Sequence, residues 1–159
     1  MSLSLKFLRV LALAGWIGAI GYFGVVVTEA SFRVLPSPEQ AGLVVGRTLS
    51  GLHTMGLMAA ATFVIASVAL KKKLRALVAP TVLGVSLMAL LTVVSEYYVM
   101  PRMAELRNQM GSVDRTPESD RRRAEFDRLH AVSVDVEAAA VVMGLIALFL
   151  TVREDSPPD

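Results

Sequence analysis

The sequence predicts an all-α integral membrane protein: a four-transmembrane-helix bundle with helical extensions on the non-cytoplasmic side. Hydrophobic residues make up 54% of the 159 residues, and the mean hydropathy is +0.57. The apolar residues fall in blocks that lack the polar stripe of a soluble amphipathic helix. Each block has about the 20 residues that a helix needs to cross ~30 Å of hydrocarbon. The single domain therefore has four predicted spans, at about 8–28, 49–70, 76–100 and 131–152.

The first block follows Lys6 and Arg9, as the apolar region of a signal peptide would. It is longer than the roughly 7–15 residues of such a region, so we interpret it as a span. Its glycines recur every third residue, and a three-residue step advances about 300° around a helix. The glycines thus cover two sides of the helix, at positions 15, 18, 21 and 24. These faces could receive helices of the bundle, of a partner membrane subunit or of a homo-oligomer.

Cap signals predict that the second and fourth spans begin outside the membrane. Ser37 can cap a helix whose first residue is Pro38, and Thr116 with Pro117 repeats the pattern. Unbroken helices would cover about 38–70 and 117–153, whereas a short surface helix followed by a break is the alternative. Pro101 is expected to close the third span and to begin an extramembrane connection, 101–129, with a turn near Gly111. The tail 153–159 is expected to be disordered.

An even number of spans places both termini on one side. We predict that this side is cytoplasmic, and that the membrane is the plasma (inner) membrane, because short segments there are rich in lysine and arginine, above all KKKLR at 71–75. Basic residues on the other side are spread over long connections and interleaved with acids. The membrane explains the net charge of +2, so nucleic acid is not an expected partner. The chain has no cysteine, which excludes disulfides and thiolate chemistry.

Polar residues recur on single faces of three spans. His53 shares a face with Gly56, Ala60 and Ser67; Glu96 shares one with Thr92, Ala89 and Val85; His130 shares one with Ser133, Glu137 and Gly144. Small and polar residues mark helix–helix contacts in membranes. We therefore predict that both histidines and the carboxylates, with Glu29 at the end of span one, meet in a pocket at the outer mouth.

Several chemistries fit such a pocket. His53, Glu96, His130 and Glu137 could form the first shell of a divalent transition metal, and His53 with His130 could ligate a haem. Intramembrane acids also mark proton or ion pathways. The fourth alternative is a buried polar network that fixes the helices without a ligand. No nucleophile–base pair or phosphate loop is visible, so the protein is predicted not to be an enzyme.

Three stretches resemble a known family: FRVLPSPEQAGLVVGR at 32–47, EYYVMPRMAELR at 96–107 and RLHAVSVDVE at 128–137. Together with the glycine-rich first span they resemble the DUF4149 family, which includes the transmembrane protein 205-like proteins. The resemblance implies a small four-span protein of no established biochemical activity. It also implies that shared motif positions are Pro36, Gly42, Gly46, Pro101, Arg102, His130 and Ser133. An asparagine is common in that pattern near Glu96 and Glu137, so the two carboxylates here are a departure from it.

Two functions follow from the sequence. The first is a non-enzymatic membrane subunit in which a buried His/Glu network locks the helices. The alternative is a metal- or haem-binding protein for transport, resistance or redox handling.

Overall fold

In the computed structural model, which describes residues 2–155, the chain forms four long helices. They are α1 (Ser2–Val34), α2 (Pro38–Lys71), α3 (Pro80–Met110) and α4 (Arg121–Asp155). A short 3₁₀ helix, Leu74–Val78, connects α2 to α3. The described residues contain no strand, and all four helices are long and apolar enough to cross a membrane. The chain is thus a multi-pass, all-α membrane protein, as the apolar blocks predict.

The helices are longer than the bilayer core requires. They have 31 to 35 residues, which at 1.5 Å per residue is roughly 46–52 Å against ~30 Å of hydrocarbon. Large apolar side chains remain exposed along them, including Ile65 (69%) and Phe149 (66%). Such surfaces are stable against lipid tails and not in water. The outer faces of the four helices are therefore suited to contact the lipid tails of a bilayer.

Both termini lie at one end of the bundle. Lys6 Nζ donates to the Asp155 backbone carbonyl at 2.9 Å, and Lys71 Nζ lies 3.3 Å from Glu154 Oε1. The connection between α2 and α3 is therefore at this end too. We call it the terminal end, and we call the opposite end the far end. Placement of the terminal end in the cytoplasm stays a prediction.

The cap signal of α2 is confirmed and that of α4 is wrong. The Ser37 hydroxyl accepts a hydrogen bond from the Gln40 amide at 3.2 Å, and α2 runs unbroken from Pro38. Helix α4 begins four residues after Pro117. There the Asp120 carboxylate accepts from the Arg122 amide at 2.8 Å, and its hydrogen bonds with Arg122 lower the Asp120 pKa to about 2. An aspartate cap satisfies first-turn amides as a threonine cap would.

Pro101 does not close the third span. A π-helical turn, Ser95–Val99, precedes it, and the helix then resumes as Met100–Met110. A proline ring in a regular helix clashes with the carbonyl four residues earlier, and the wider turn relieves that clash. The predicted connection 101–129 is therefore largely helical, with an irregular part from Gly111 (φ +72°) to Asp120.

These far-end extensions pack on one another. Val99, Met103 and Leu106 of α3 bury against Phe126 of α4, with Val113 of the connection beneath them. At the other end of α4, the predicted disordered tail is also partly helical. Residues 153–155 continue the helix, and the Glu154 and Asp155 carboxylates there pair with basic residues of α1 and α2. Residues 156–159 lie outside the described part of the chain.

Small residues decide where the helices approach closely. Gly56 of α2 faces the Trp16 indole of α1, and Gly144 of α4 faces Ile17 of α1 and Met88 of α3. A Cβ on Gly144 would lie 2.7 Å from Ile17 Cγ1, which is inside contact distance. The four glycines of α1 behave differently: a Cβ on any of them would have nothing within 4 Å, so they face outward at positions 15, 18, 21 and 24.

Candidate functional site

The π-helical turn in α3 carries Glu96. Such turns insert one extra residue into the helix and are frequent at functional sites. Downstream of the turn, the buried side of α3 continues through Val99 and Met103. The Glu96 carboxylate lies against α2, where Ser50 Oγ donates to Glu96 Oε1 at 2.5 Å.

His53 is held between two carboxylates from two other helices. Its Nδ1 lies 2.7 Å from Glu96 Oε2 of α3, and its Nε2 lies 2.8 Å from Glu137 Oε1 of α4. The imidazole is 1% exposed, whereas the Glu96 and Glu137 side chains are 21% and 16% exposed. We call Ser50, His53, Glu96 and Glu137 the His53 network. It joins α2, α3 and α4 about one turn inside the far end of the apolar core.

The two nitrogen–oxygen contacts fix the number of protons in the His53 network. A bare imidazole nitrogen and an ionised carboxylate both only accept, so each contact needs one proton between its atoms. Two protons are therefore shared by His53, Glu96 and Glu137, either both on the ring or one on the ring and one on a carboxyl group. In either arrangement the three groups carry a single net negative charge.

Burial makes this arrangement costly to disrupt. Transfer of an unpaired charge from water into a low-dielectric interior is expensive, and good hydrogen-bond geometry is what offsets the cost. Here both imidazole nitrogens are engaged, and Glu96 receives a third hydrogen bond from Ser50. The carboxylates stay partly exposed on the rim.

The structure brings together three of the four residues predicted to bind a metal. His130 does not join them, because its side chain is exposed. At that height Phe126 and partly buried Leu129 of α4 pack against the α3 extension, and His130 stays exposed beside them. Glu29 is also absent from the site. It is 56% exposed and pairs with Arg33 at 2.6 Å on the same helix.

The predicted metal and haem sites are not supported by this geometry. A histidine needs a bare ring nitrogen to ligate a metal or haem iron, and both His53 nitrogens face carboxylates. His130, the other predicted haem ligand, is separately exposed. Within residues 2–155 no group of three or more His, Asp or Glu side chains could hold a metal ion.

The other predicted motif residues lie outside the His53 network. Pro36 lies in the turn between α1 and α2, and Ser133 is buried at 6% exposure. Gly42 and Gly46 admit the α3 extension: an added Cβ would lie 3.5 Å from Arg107 Nη2 and 3.6 Å from Met100 Cε, respectively.

Arg102 and Pro101 belong to the same extension. Arg102 Nε donates to Glu125 Oε1 of α4 at 2.9 Å, and its Nη1 donates to Glu105 at 2.7 Å. Arg102 thus ties the two extensions together just beyond the His53 network. Pro101 follows the π-helical turn that carries Glu96.

A second buried charge cluster lies at the terminal end, and the sequence analysis missed it. Arg9 is fully buried, pairs with Glu154 at 3.1 Å and Asp155 at 3.4 Å, and lies 5.0 Å from the centroid of the Phe63 ring. Arg9 lies at the start of the first apolar block, and Glu154 and Asp155 follow the fourth block, so an arginine beside one span and acids beside another were the available signal. We read the arginine as a topology marker and the acids as part of a disordered tail.

Comparison with known proteins identifies the family of the chain and no individual relative. No curated protein matches the chain, and no solved structure does. A family model described as a domain of unknown function, DUF4149, matches residues 11–112, more than half of the chain. The match includes His53 and Glu96 and ends before Glu137, and it does not single out a transmembrane protein 205-like subgroup. With four membrane-spanning helices and this match over its first three, the chain belongs to the DUF4149 family.

Proposed function

We propose that the protein is a non-catalytic membrane subunit whose His53 network fixes the packing of three helices at the far end. One observation carries the proposal: a single buried imidazole bonds a carboxylate on each side, and each carboxylate belongs to a different helix. In hydrocarbon a helix gains little from burying apolar side chains against another helix, because lipid tails are equally apolar. Hydrogen bonds between helices and close packing must then determine how the helices are arranged.

A double-mutant cycle tests this role. His53→Gln, Glu137→Gln and the double variant should give a coupling energy toward the upper part of the roughly 0.5–3 kcal/mol seen for contacting residues. The exposed pair Glu29–Arg33 is the matched control, with an expected coupling of about 0.2–1 kcal/mol or less. Unfolding in mixed micelles measures both. A buried pair that couples no more strongly than the exposed pair would contradict the proposal.

The partner of such a subunit would meet the outward glycines of α1. These positions leave open space, and glycine lets helix backbones approach closely in membranes. Because the chain has no native cysteine, Gly18→Cys supports a clean cross-linking test, with exposed Val142→Cys on α4 as the control. Intermolecular disulfides at position 18 and not at position 142 support this surface. Equal or absent cross-linking at the two positions contradicts it.

A second candidate function is reversible proton binding from the far end. It is favoured by the partial exposure of both carboxylates that bond His53. The interior between the His53 network and the buried Arg9 cluster contains Phe63, Val85 and Met88, each at 0% exposure. That interior supports proton exchange with one surface rather than passage across the membrane.

Infrared spectroscopy tests the second candidate. The carboxylic-acid band should change reversibly with pH in the native protein, and the Glu96→Gln/Glu137→Gln variant should lose the part of that change that the two network carboxyls contribute. Exposed Asp135→Asn on α4 is the matched control and should keep it. A pH response unaltered by the double substitution would exclude the network as the proton-binding group.

A further inference from the structure

A cavity at the terminal end lies between the start of α3 and the end of α4. Its volume is about 270 Å³, and it is lined by Pro80, Thr81, Leu150, Arg153 and Glu154. It is far from the His53 network, which lies near the other end of the same helices. The structural role of the network therefore does not account for it.

An apolar groove continues from this cavity toward the membrane interior. The groove has a volume of about 100 Å³ and shares Pro80 and Leu150 with the cavity; its other lining residues are Gly84, Met143, Ile146 and Ala147. From Arg153 to Met143 the lining descends ten residues of α4, roughly 15 Å along the helix. Gly84 keeps the groove open, since a Cβ there would already lie 3.4 Å from the Ala147 Cβ. The polar groups of the lining, Thr81, Arg153 and Glu154, thus lie at the top, beside Pro80 and Leu150, and the deeper lining is apolar.

The cavity offers groups that bind an anion. Arg153 lines it, and Thr81, 1% exposed, has a hydroxyl with no hydrogen-bond partner among the described residues. The first turn of α3 also has no side-chain cap; because Pro80 has no amide hydrogen and the Leu83 amide bonds the Ala79 carbonyl, the Thr81 and Val82 amides are left for an acceptor. A helix start with uncapped amides favours negative charge.

The lining itself holds one basic and one acidic side chain, Arg153 and Glu154, but the terminal end as a whole is positive. The described residues at the terminal end carry seven basic side chains against the acids Glu154 and Asp155. Those acids are paired with Lys6, Arg9 and Lys71. The remaining basic side chains have no acidic partner within residues 2–155, and they are Lys72, Lys73, Arg75 and Arg153. Basic pockets between membrane helices are suited to anionic headgroups.

We propose that this cavity and groove bind one anionic glycerophospholipid. The phosphate lies beside Arg153, Thr81 and the start of α3, and one acyl chain follows the groove past Gly84. Charge complementarity selects the anionic headgroup, and the continuity of the cavity with the apolar groove selects a lipid over a soluble anion. The site would anchor the α3–α4 pair at the surface opposite the His53 network.

The test compares thermal unfolding of the delipidated full-length protein in three conditions. These are phosphatidylcholine bicelles, the same bicelles with part of the lipid replaced by phosphatidylglycerol, and phosphatidylcholine bicelles with added inorganic phosphate. Phosphatidylglycerol should raise the unfolding temperature, and phosphate should not. Equal stabilisation by phosphatidylcholine alone, or full stabilisation by inorganic phosphate, would overturn the proposal.

Variants locate the effect in the groove. Gly84→Leu should fill the groove, Arg153→Gln should remove the anion partner, and each should lose most of the gain from phosphatidylglycerol. Ser86→Leu, an exposed change on the same helix, and Arg75→Gln, an equal loss of charge at the same end, should keep it. Retention of the gain in Gly84→Leu, or equal loss in Arg75→Gln, would refute a specific site. Because each variant is compared with itself in two lipids, a change in its basal stability does not affect the outcome.

Discussion

Replacement of His53 by alanine is expected to destabilise the bundle by about 3–5 kcal/mol, the cost of breaking a buried charge network at one member. The substitution leaves Glu96 and Glu137 facing each other with no donor between them, in a region where water reaches only their outer edges. One carboxyl must then become protonated or the helices must separate. The free energy of unfolding in mixed micelles measures the effect.

Two controls distinguish the destabilisation caused by breaking the network from the destabilisation caused by removing a large side chain. His130→Ala removes the other, exposed histidine and should change the unfolding free energy little. The triple variant His53→Leu/Glu96→Leu/Glu137→Leu replaces the whole network with apolar side chains and should recover most of the lost stability, since such replacements are often neutral or stabilising. If His53→Ala were no more harmful than His130→Ala, the network would not hold the helices together.

Gly144→Ala is the second change expected to have a large effect, a destabilisation of about 1–3 kcal/mol from overpacking. The added methyl carbon would lie 2.7 Å from Ile17 Cγ1 and 3.0 Å from Met88 Cε, so α4 must move away from α1 and α3. Gly56→Ala should be at least as harmful, because the obstacle there is the rigid Trp16 indole. Thermal unfolding of the detergent-solubilised variants measures both.

Gly18→Ala is the matched control for both substitutions. It lies in the same bundle, but an added Cβ meets nothing within 4 Å. Without a clash, alanine should stabilise a helix by roughly 0.5–1 kcal/mol relative to glycine. A variant of Gly144 or Gly56 that behaves like Gly18→Ala would show that the close approach does not exist in the membrane.

The sequence predicts the membrane helices well because hydrocarbon imposes length and composition together. It also predicts that His53, Glu96 and Glu137 face inward, since small residues such as Gly56 and Gly144 mark the contact side of each helix. These inferences need only helical periodicity. Such inferences are correct for a helix when the same side of it packs against the same neighbouring helices along its whole length.

The predictions that failed concern positions where a side chain has different neighbours from those its helix face suggests, or where the backbone departs from a regular α-helix. His130 shares the angular position of Glu137, but it lies seven residues nearer the far end, where its side chain is exposed. The π-helical turn at Ser95–Val99 has no periodic signal, and Pro101 just after it was the available hint. Arg9 was missed because its acidic partners lie at the opposite end of the chain.

The most direct test of the His53 network is nitrogen NMR of the protein labelled at histidine. The chain has two histidines, so His130→Ala assigns the spectrum. We predict that Glu96→Gln shifts mainly the Nδ1 signal of His53 and that Glu137→Gln shifts mainly its Nε2 signal, with His130 unchanged. A His53 ring that responds to neither substitution, or that exchanges with water as freely as His130, would contradict the account.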